Sequence, residues 1–255
     1  MNFWPQNKQG AISITFDDGM SSQFEIAVPA LNDRRLQATF YLNPRGCEED
    51  SNIDQSWHDY LEKWIPVFRS GHEIGNHSLS HPCSLNINDA WLEGKNLINW
   101  DLNKIQTDVL EAKRRIMTCF PEQKHTSYAY PCYESTVGRG INRQSYVPLI
   151  AREFIAGRAK GELRGELAND PKYCDLHHLS SWPVERQQGA FMIGLVEQAI
   201  SLGRWGIFTF HGIREGHLLV GDTDFIELLD HLVRREDVVW VAPVASVAHY
   251  INQQS

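Results

Sequence analysis

The chain has 255 residues, 42% of them hydrophobic, which is enough to bury one large core and is a common length for an α/β barrel. Its formal net charge of −8 argues against nucleic acid and an anionic membrane as partners, because neither attracts an acidic protein. We therefore expect a single domain across residues 1–255 that acts on a small or neutral ligand.

Short apolar runs alternate with amphipathic segments along the chain. The runs typical of strands are AISITF (11–16), ATFYLN (38–43), HEIGN (72–76), SYAY (127–130), EFIAG (153–157), DLHHLS (175–180), GIFTF (206–210) and VVWVA (238–242). Helical patterns occupy residues 21–35, 56–70, 88–117, 145–153, 188–202, 222–235 and 244–252. This alternation favours an α/β fold with a parallel sheet, and its seven or eight repeats favour a closed barrel over an open sheet.

The first predicted strand ends in two adjacent carboxylates, Asp17 and Asp18, followed by a glycine. An Asp-Asp-Gly sequence alone is typical of an ordinary surface turn. In α/β barrels, however, the loops that follow the strands converge at one end, where active sites lie. Because His77, His81 and His211 also follow predicted strands, we expect metal-ligating and acid–base side chains to meet at that end.

The segment GHEIGNHSLSHP carries His77 and His81 at positions i and i+4. On a helical turn the two imidazoles share one face, with about 5–6 Å between Cβ atoms, a spacing that one metal ion bridges. Alone, such a pair is more often a surface pair than a metal site. Together with a carboxylate from the first strand exit, it forms the ligand set of a hydrolytic metal site that leaves positions for water and substrate.

Three motifs in this chain resemble signatures of the polysaccharide deacetylases, carbohydrate esterase family 4. They are TFDDG (15–19), HSLSH (77–81) and FTFHG (208–212), in the order and spacing of the family. The resemblance implies a deformed (β/α) barrel with about seven parallel strands in a single domain. It also implies a divalent metal, most commonly Zn²⁺ with Co²⁺, Ni²⁺ or Mn²⁺ as alternatives, and removal of acetyl groups from amino sugars or other acetylated carbohydrates.

The resemblance assigns a role to each matching residue. Asp17 would be the general base, and Asp18, His77 and His81 would bind the metal. His211 would be the general acid that protonates the departing nitrogen, since an amine anion cannot leave at neutral pH. The two neighbouring carboxylates would thus differ in function, one holding the metal and the other taking a proton from the attacking water.

The chain departs from the family pattern in YAYPCYES (128–135), where Ala129 and Tyr130 replace the arginine that normally helps to hold the base. Arg158 is the best-placed substitute because it comes at the end of a predicted strand, with a surface position as an equal alternative. The missing arginine therefore predicts either a contact between Arg158 and Asp17 or no arginine at the base.

The pocket beside the metal has three further candidates. The backbone N–H of Cys132 or Tyr133 is positioned after a proline turn to stabilise an oxyanion, and the Cys132 thiol is expected to pack rather than to act as a nucleophile. Trp182 is expected to line the acetyl pocket, with a core position as the alternative. Asp175 is the nearest acid in the stretch that normally supplies the partner of His211.

The five cysteines are widely spaced and include no Cys-x-x-Cys pair, which favours a reducing compartment over a disulfide framework. The opening MNFWPQNKQG lacks the profile of a secretory signal, and no apolar run reaches the length of a transmembrane helix. We therefore expect a cytoplasmic protein whose cysteines mostly pack.

The sequence thus predicts a metal-dependent hydrolase that removes acetyl groups from an N-acetylated or O-acetylated sugar or small glycan. A cytoplasmic location favours soluble oligosaccharides or sugar conjugates over a cell wall. Because the motif arginine is missing, hydrolysis of a cyclic or other non-sugar amide on the same scaffold is an alternative. A non-catalytic carbohydrate-binding domain is a second alternative, which the presence of all the catalytic residue types disfavours.

Overall fold

A computed structural model describes residues 3–45, 53–84, 94–159, 161 and 168–254. The strands are β1 (Gly10–Asp17), β2 (Thr39–Leu42), β3 (Glu73–Asn76), β4 (Ser127–Ala129), β5 (Thr136–Val137), β6 (Gln144–Ser145), β7 (Ala156–Arg158), β8 (Trp182–Pro183), β9 (Trp205–Phe210) and β10 (Val239–Val241). The α-helices are α1 (Val28–Asp33), α2 (Ile53–Glu62), α3 (Ile65–Arg69), α4 (Leu102–Cys119), α5 (Val147–Glu153), α6 (Gly189–Leu202), α7 (Asp222–Arg234) and α8 (Val244–Gln254).

One parallel sheet organises the molecule, in the order β7-β4-β3-β2-β1-β9-β8, with β10 beside the first half of β1. Its two ends approach each other, because Leu179 bridges to Arg158 on β7 while β8 pairs with β9. The sheet therefore curves into an irregular barrel, as the sequence predicts. Its strands are parallel, so their carboxyl ends and the loops that follow gather on one side.

Alternation along β1 separates the two faces of the sheet. Ile12, Ile14 and Phe16 pack in the hydrophobic core with residues of α6 and α7. Ser13 and Thr15 point the other way, where the hydroxyl of Ser13 donates to the carbonyl of Ala242 and that of Thr15 donates to the carbonyl of Phe208. The period of two in a strand continues to Asp17, which places its side chain on this polar inner face.

The amino ends of the strands are closed by a buried carboxylate. Glu73 accepts hydrogen bonds from the hydroxyl of Thr39 (2.8 Å), the backbone N–H (2.8 Å) and hydroxyl (2.7 Å) of Ser127, and the N–H of Ala245 (2.9 Å). These bonds join β2, β3, β4 and the start of α8. Because its oxygens are fully used by these hydrogen bonds, Glu73 has a structural role. It lies at the opposite end of the sheet from the loops that follow the strands.

The structure corrects several element boundaries. Residues 175–180 form no strand beyond the isolated bridge of Leu179 to Arg158, and the strand of this region, β8, comes later. Within the predicted helix 88–117, the described residues 94–101 are not α-helical, and α4 begins after Asp101, which caps it by accepting from the N–H of Lys104 (2.8 Å). The hairpin of β5 and β6 was not predicted. Residues 85–93 and most of the polar loop at 44–56 lie outside the described residues.

Within the described ranges, no helix is both long enough and apolar enough to cross a lipid bilayer.

Candidate active site

The exit of β1 directs its two carboxylates differently. Asp17 is still in the strand, and its side chain is buried on the inner face. Asp18 adopts a left-handed backbone with φ 70° and is exposed, so the chain turns between the two residues. Gly19 completes the turn with φ 63°, where a Cβ would lie 2.1 Å from the hydroxyl of Tyr60. The glycine is required both by the backbone conformation and by this close approach.

Asp18, His77 and His81 form a cluster of potential metal ligands. Oδ1 of Asp18 lies 3.7 Å from Nε2 of His77 and 3.5 Å from Nε2 of His81, and the three ligand atoms lie within 4.8 Å of one another. Nδ1 of His77 donates to the carbonyl of Ala129 (2.9 Å), which leaves Nε2 as a lone-pair donor toward the cluster. One carboxylate and two imidazoles, already converged and oriented, fit a divalent cation.

The loop that carries the histidines is not the helical turn predicted from their spacing. Ser78 and His81 both have left-handed φ values, 64° and 53°, and the segment contains no helix. Asp108 on α4 holds the loop by accepting from the N–H of Leu79 (2.8 Å) and from the N–H and hydroxyl of Ser80. Tertiary bonds therefore bring the imidazoles to a centroid distance of 4.8 Å.

His81 is held in its neutral, ligating form. Burial lowers the pKa of His81 to about 4, and the neighbouring His77 acts in the same direction. Since a metal binds neutral imidazole, this environment prepares the residue for coordination.

Arg158 lies against Asp17. The sequence left two positions open for this arginine, and the other was on the surface. Its Nη2 donates to both carboxylate oxygens, at 2.8 and 2.6 Å, and the arginine is completely buried. The guanidinium also lies over the rings of Tyr41 (5.1 Å) and Tyr133 (5.7 Å), and it donates to the hydroxyl of Thr209. An arginine from β7 thus lies beside Asp17, which confirms the first of the two positions expected for Arg158.

Asp17 is kept ionised by its neighbours. Burial alone would raise its pKa, but nearby positive charge, foremost that of Arg158, which also donates hydrogen bonds to the carboxylate, outweighs burial and holds the pKa below its usual value. Oδ2 of Asp17 lies 3.7 Å from Nε2 of His77 and 4.0 Å from Nε2 of His211. The carboxylate therefore lies between a potential metal ligand and the predicted general acid.

Glu185 is the acidic neighbour of His211. Its Oε1 lies 4.0 Å from Nδ1 of His211, whereas Asp175 forms an ion-pair contact with His177 and accepts from its N–H. Asp175, the nearest acid in the predicted stretch, therefore contacts His177 and not His211. Glu185 is the second residue after β8, so it too lies at a strand exit, although the sequence did not indicate a strand there.

The turn after Pro131 was expected to offer the N–H of Cys132 or Tyr133 to an oxyanion and to carry a packed Cys132 thiol, and the structure refines both points. The N–H of Tyr133 donates to the carbonyl of Tyr130 (2.9 Å) and so is used by the turn itself, which leaves the N–H of Cys132 as the candidate oxyanion donor. The Cys132 side chain forms a disulfide with Cys83, with Cα atoms 5.7 Å apart, instead of packing as a thiol. The bond links this turn to the segment that follows His81.

Trp182 does not line the candidate acetyl pocket. It is 2% exposed and packs edge-on against Phe208, with its ring over Gly206, among the core residues between sheet and helices. The register explains this position, because Trp182 pairs with Phe208 and points to the same outer face, while the neighbouring Ser181 and Thr209 face inward and bond to each other (3.0 Å).

Two curated relatives match part of this chain. Both are peptidoglycan-N-acetylglucosamine deacetylases from Bacillus cereus, one 31% identical over 86 residues and the other 30% identical over 109 residues. The aligned segments cover 33% and 42% of this chain but only 27% and 40% of the relatives. The chain therefore spans less than half the length of the curated relatives it matches.

Solved structures share the fold across the chain. A Mycobacterium smegmatis protein assigned to the polysaccharide deacetylases has a TM-score of 0.60 at 16% identity, covering 98% of this chain and 93% of that one. The peptidoglycan deacetylase PdaC from Bacillus subtilis has a TM-score of 0.53 at 15% identity, covering 98% and 95%. A pseudoenzyme of the family from Bacillus anthracis has a TM-score of 0.53 at 15% identity, covering 96% and 66%.

The polysaccharide deacetylase family model matches residues 5–143, more than half of the chain. That range includes Asp17, Asp18, His77 and His81. The match, together with a barrel that brings these residues to one end, places this chain in the polysaccharide deacetylase family.

Proposed function

We propose that this protein is a metal-dependent deacetylase that removes acetyl groups from N-acetylated, or O-acetylated, sugars or small glycans. The observation that carries the proposal is the position of Asp17, whose Oδ2 lies 3.7 Å from Nε2 of His77 and 4.0 Å from Nε2 of His211. A proton acceptor thus lies between a metal-ligating imidazole and an imidazole suited to donate a proton.

Asp18, His77 and His81 would hold the divalent cation, with Zn²⁺ as our first choice and Co²⁺, Ni²⁺ and Mn²⁺ as alternatives. A mixed N/O ligand set suits these ions and does not select strongly among them. When bound, such an ion supplies Lewis acidity, which makes water more acidic and polarises an acyl oxygen.

The side chains of the protein would move the protons. Asp17 accepts a proton from the water that attacks the acetyl carbon, and the guanidinium of Arg158 keeps this carboxylate ionised and oriented. His211 donates a proton to the departing nitrogen. The backbone N–H of Cys132 is the candidate donor to the oxygen on which negative charge develops.

An acetylated amino sugar is the substrate class that the relatives support, because both curated matches are named as deacetylases of N-acetylglucosamine in peptidoglycan. Hydrolysis of a cyclic or other non-sugar amide is the alternative that the missing motif arginine favours. The contact of Arg158 with Asp17 weakens that reason. A non-catalytic binding domain is still an alternative, because a pseudoenzyme shares the fold.

The test is acetate release by metal-reconstituted protein across N-acetylglucosamine oligomers, O-acetylated sugars and a cyclic amide. We expect release from the acetylated sugars, loss after chelation, and no release by the Asp17→Asn variant, which controls for contaminating activity. Binding of the oligomers without acetate release would favour the non-catalytic alternative, and ring opening of the cyclic amide alone would favour the other.

We also infer that residues 1–255 form one catalytic domain. The cytoplasmic location stays a prediction, and the disulfide between Cys83 and Cys132 weighs against it, because the cytosol keeps thiols reduced.

A further inference from the structure

A π-helical turn, Gln23–Ala27, follows the loop that carries the two carboxylates and leads into α1. Turns of this kind are rare and occur frequently at functional sites. Gln23 is the first residue of the turn, and its side chain is completely buried although its amide is polar. A buried amide needs hydrogen-bond partners, so the partners of Gln23 indicate what the turn is for.

The amide of Gln23 joins the two strand exits that carry the predicted base and acid. Its Nε2 donates to the backbone carbonyl of Asp17 (2.6 Å) and to the backbone carbonyl of His211 (3.0 Å). The preceding Ser22 adds two bonds to the same loop, since its hydroxyl accepts from the N–H of Ile213 (3.0 Å) and its N–H donates to Glu215 (2.7 Å).

These bonds begin where the sheet stops. The ladder between β1 and β9 pairs residues up to Phe16 with Phe210, so Asp17 and His211 are the first residues beyond it. Asp17 is still paired with Tyr41 on β2 and held by Arg158. The backbone of His211 has left the strand, and the amide of Gln23 replaces the missing ladder bond.

We propose that Gln23 is a positioning residue that sets the gap between Asp17 and His211; this inference rests on the proposed function. If the side-chain amide of Gln23 is removed, the carbonyl of His211 loses the hydrogen bond that ties it to the end of β1. Asp17 is still held by its pairing with β2 and by Arg158. Proton donation to the leaving group should therefore suffer more than proton removal from water. An amide substrate needs that donation, but an aryl ester does not, because its leaving group is a stable anion.

The test compares Gln23→Met with Gln123→Met on an N-acetylglucosamine oligomer and on 4-nitrophenyl acetate. Gln123 is a matched control at the opposite end of the sheet, where its amide accepts from the N–H and donates to the carbonyl of Ile74, each at 2.8 Å.

For Gln23→Met we expect kcat on the amide substrate to fall about 10–100-fold, in line with the cost of misplacing a reacting group by about 1 Å. The amide-to-ester rate ratio should fall with it, while KM and metal content stay unchanged. Gln123→Met should keep the wild-type ratio.

A second readout does not depend on turnover. Hydrogen exchange at residues 211–215 of the metal-free protein should be faster in Gln23→Met than in wild type or Gln123→Met, because the bond to the carbonyl of His211 is lost. If Gln23→Met fails to fold, Ser22→Ala removes one bond to the same loop and should shift the rate ratio and the exchange in the same direction.

The outcomes separate the two proposals. Acetate release by wild type with an unchanged amide-to-ester ratio in the folded variants, and unchanged exchange at 211–215, overturns the role of Gln23 alone. If wild type releases no acetate from any acetylated sugar, the proposed function fails and the inference fails with it.

Discussion

The guanidinium of Arg158 holds both carboxylate oxygens of Asp17, at 2.8 and 2.6 Å, although the two residues are 141 positions apart in the chain. Both side chains are buried, so neither charge is shared with solvent. Removing one partner of such a pair leaves an uncompensated charge in the protein interior. The ionisation of Asp17, our proposed general base, and the stability of this buried pair therefore depend on the same contact.

Arg158→Lys should lower turnover while metal binding is retained. Lysine keeps the charge but lacks the planar group that donates to Asp17 and Thr209 and lies over Tyr41 and Tyr133. We expect kcat to fall at least about tenfold, as for a lost positioning contact. Steady-state kinetics and metal content of the purified variant measure this. Wild-type turnover in Arg158→Lys would show that Arg158 does not position the base.

The residues of the candidate site that could be predicted from the sequence are those that lie at the end of a strand. Asp17, His77 and His211 each follow an apolar run, and parallel strands bring such positions together regardless of loop detail. Arg158 was placed by the same rule, at the end of β7.

The residues that were missed depend on register or on tertiary contacts. Trp182 is the aromatic residue expected near the general acid, with a core position as the equal alternative, and the register of β8, which the sequence did not locate, places it in the core. Glu185 was missed for the same reason. Cys83 and Cys132 are 49 positions apart, and only the folding of two loops against each other brings them together. No local pattern reports such a contact.

Asp17→Asn and Asp18→Asn should fail in different ways. Asp17→Asn should bind metal but lose turnover, since an amide cannot accept a proton from water. Asp18→Asn should bind metal more weakly, because a neutral amide is a poorer ligand for a divalent cation than a carboxylate. Metal content and acetate release across a metal titration distinguish the two. Excess metal should partly rescue only Asp18→Asn, and rescue of Asp17→Asn would reverse the assignment.

Glu185→Gln should slow amide substrates more than aryl esters. The carboxylate of Glu185 lies 4.0 Å from Nδ1 of His211, so its charge can hold the imidazole in place, whereas an amide has no net charge. A misplaced imidazole delivers its proton poorly, and only the amide needs that proton. Asp175→Asn is the matched control, since its carboxylate contacts His177 instead. The measurement is the amide-to-ester ratio of kcat, and equal ratios for both variants would exclude Glu185 as the partner of His211.

His72 should make the fold sensitive to acid. Burial lowers the pKa of His72 from 6.5 to about 4, and its Nδ1 accepts from the N–H of Ala38 (3.0 Å), which requires the neutral ring. The unfolded chain therefore binds the proton more readily than the folded protein does. The contribution of His72 to the free energy of unfolding is fully present above pH 6.5 and is lost as the pH falls toward 4. Below pH 4 this contribution no longer changes with pH.

The effect of His72 can be isolated with His72→Asn, whose side-chain oxygen can still accept from Ala38. The advantage of wild type over this variant in free energy of unfolding should shrink by about 3 kcal/mol across that pH range, at about 1.4 kcal/mol per pKa unit. Urea unfolding of both proteins at a series of pH values measures it. If the difference in free energy of unfolding between the two proteins did not change with pH, His72 would have the same pKa in the folded protein as in the unfolded chain.

The disulfide between Cys83 and Cys132 should stabilise the protein and hold the candidate oxyanion turn. It closes a loop with a sequence separation of 49 residues. In the chain-entropy model, a loop of this length contributes about 4 kcal/mol by restricting the unfolded chain. Because Cys132 also supplies the candidate oxyanion N–H from a left-handed turn, with φ 50°, reduction should release that turn and lower kcat.

The measurement is thermal unfolding and acetate release with and without a dithiol reductant, which donates two electrons and two protons to convert the disulfide into two thiols. A variant carrying both Cys83→Ser and Cys132→Ser is the control. We expect it to match the reduced wild type in Tm and kcat and to be insensitive to reductant, which separates the bridge from the remaining cysteines. If the reductant changes neither Tm nor kcat of wild type, although peptide mass spectrometry shows that the bond has been broken, the bridge does not support the turn. A bond already absent from protein purified without reductant would instead agree with the cytoplasmic location predicted from the sequence.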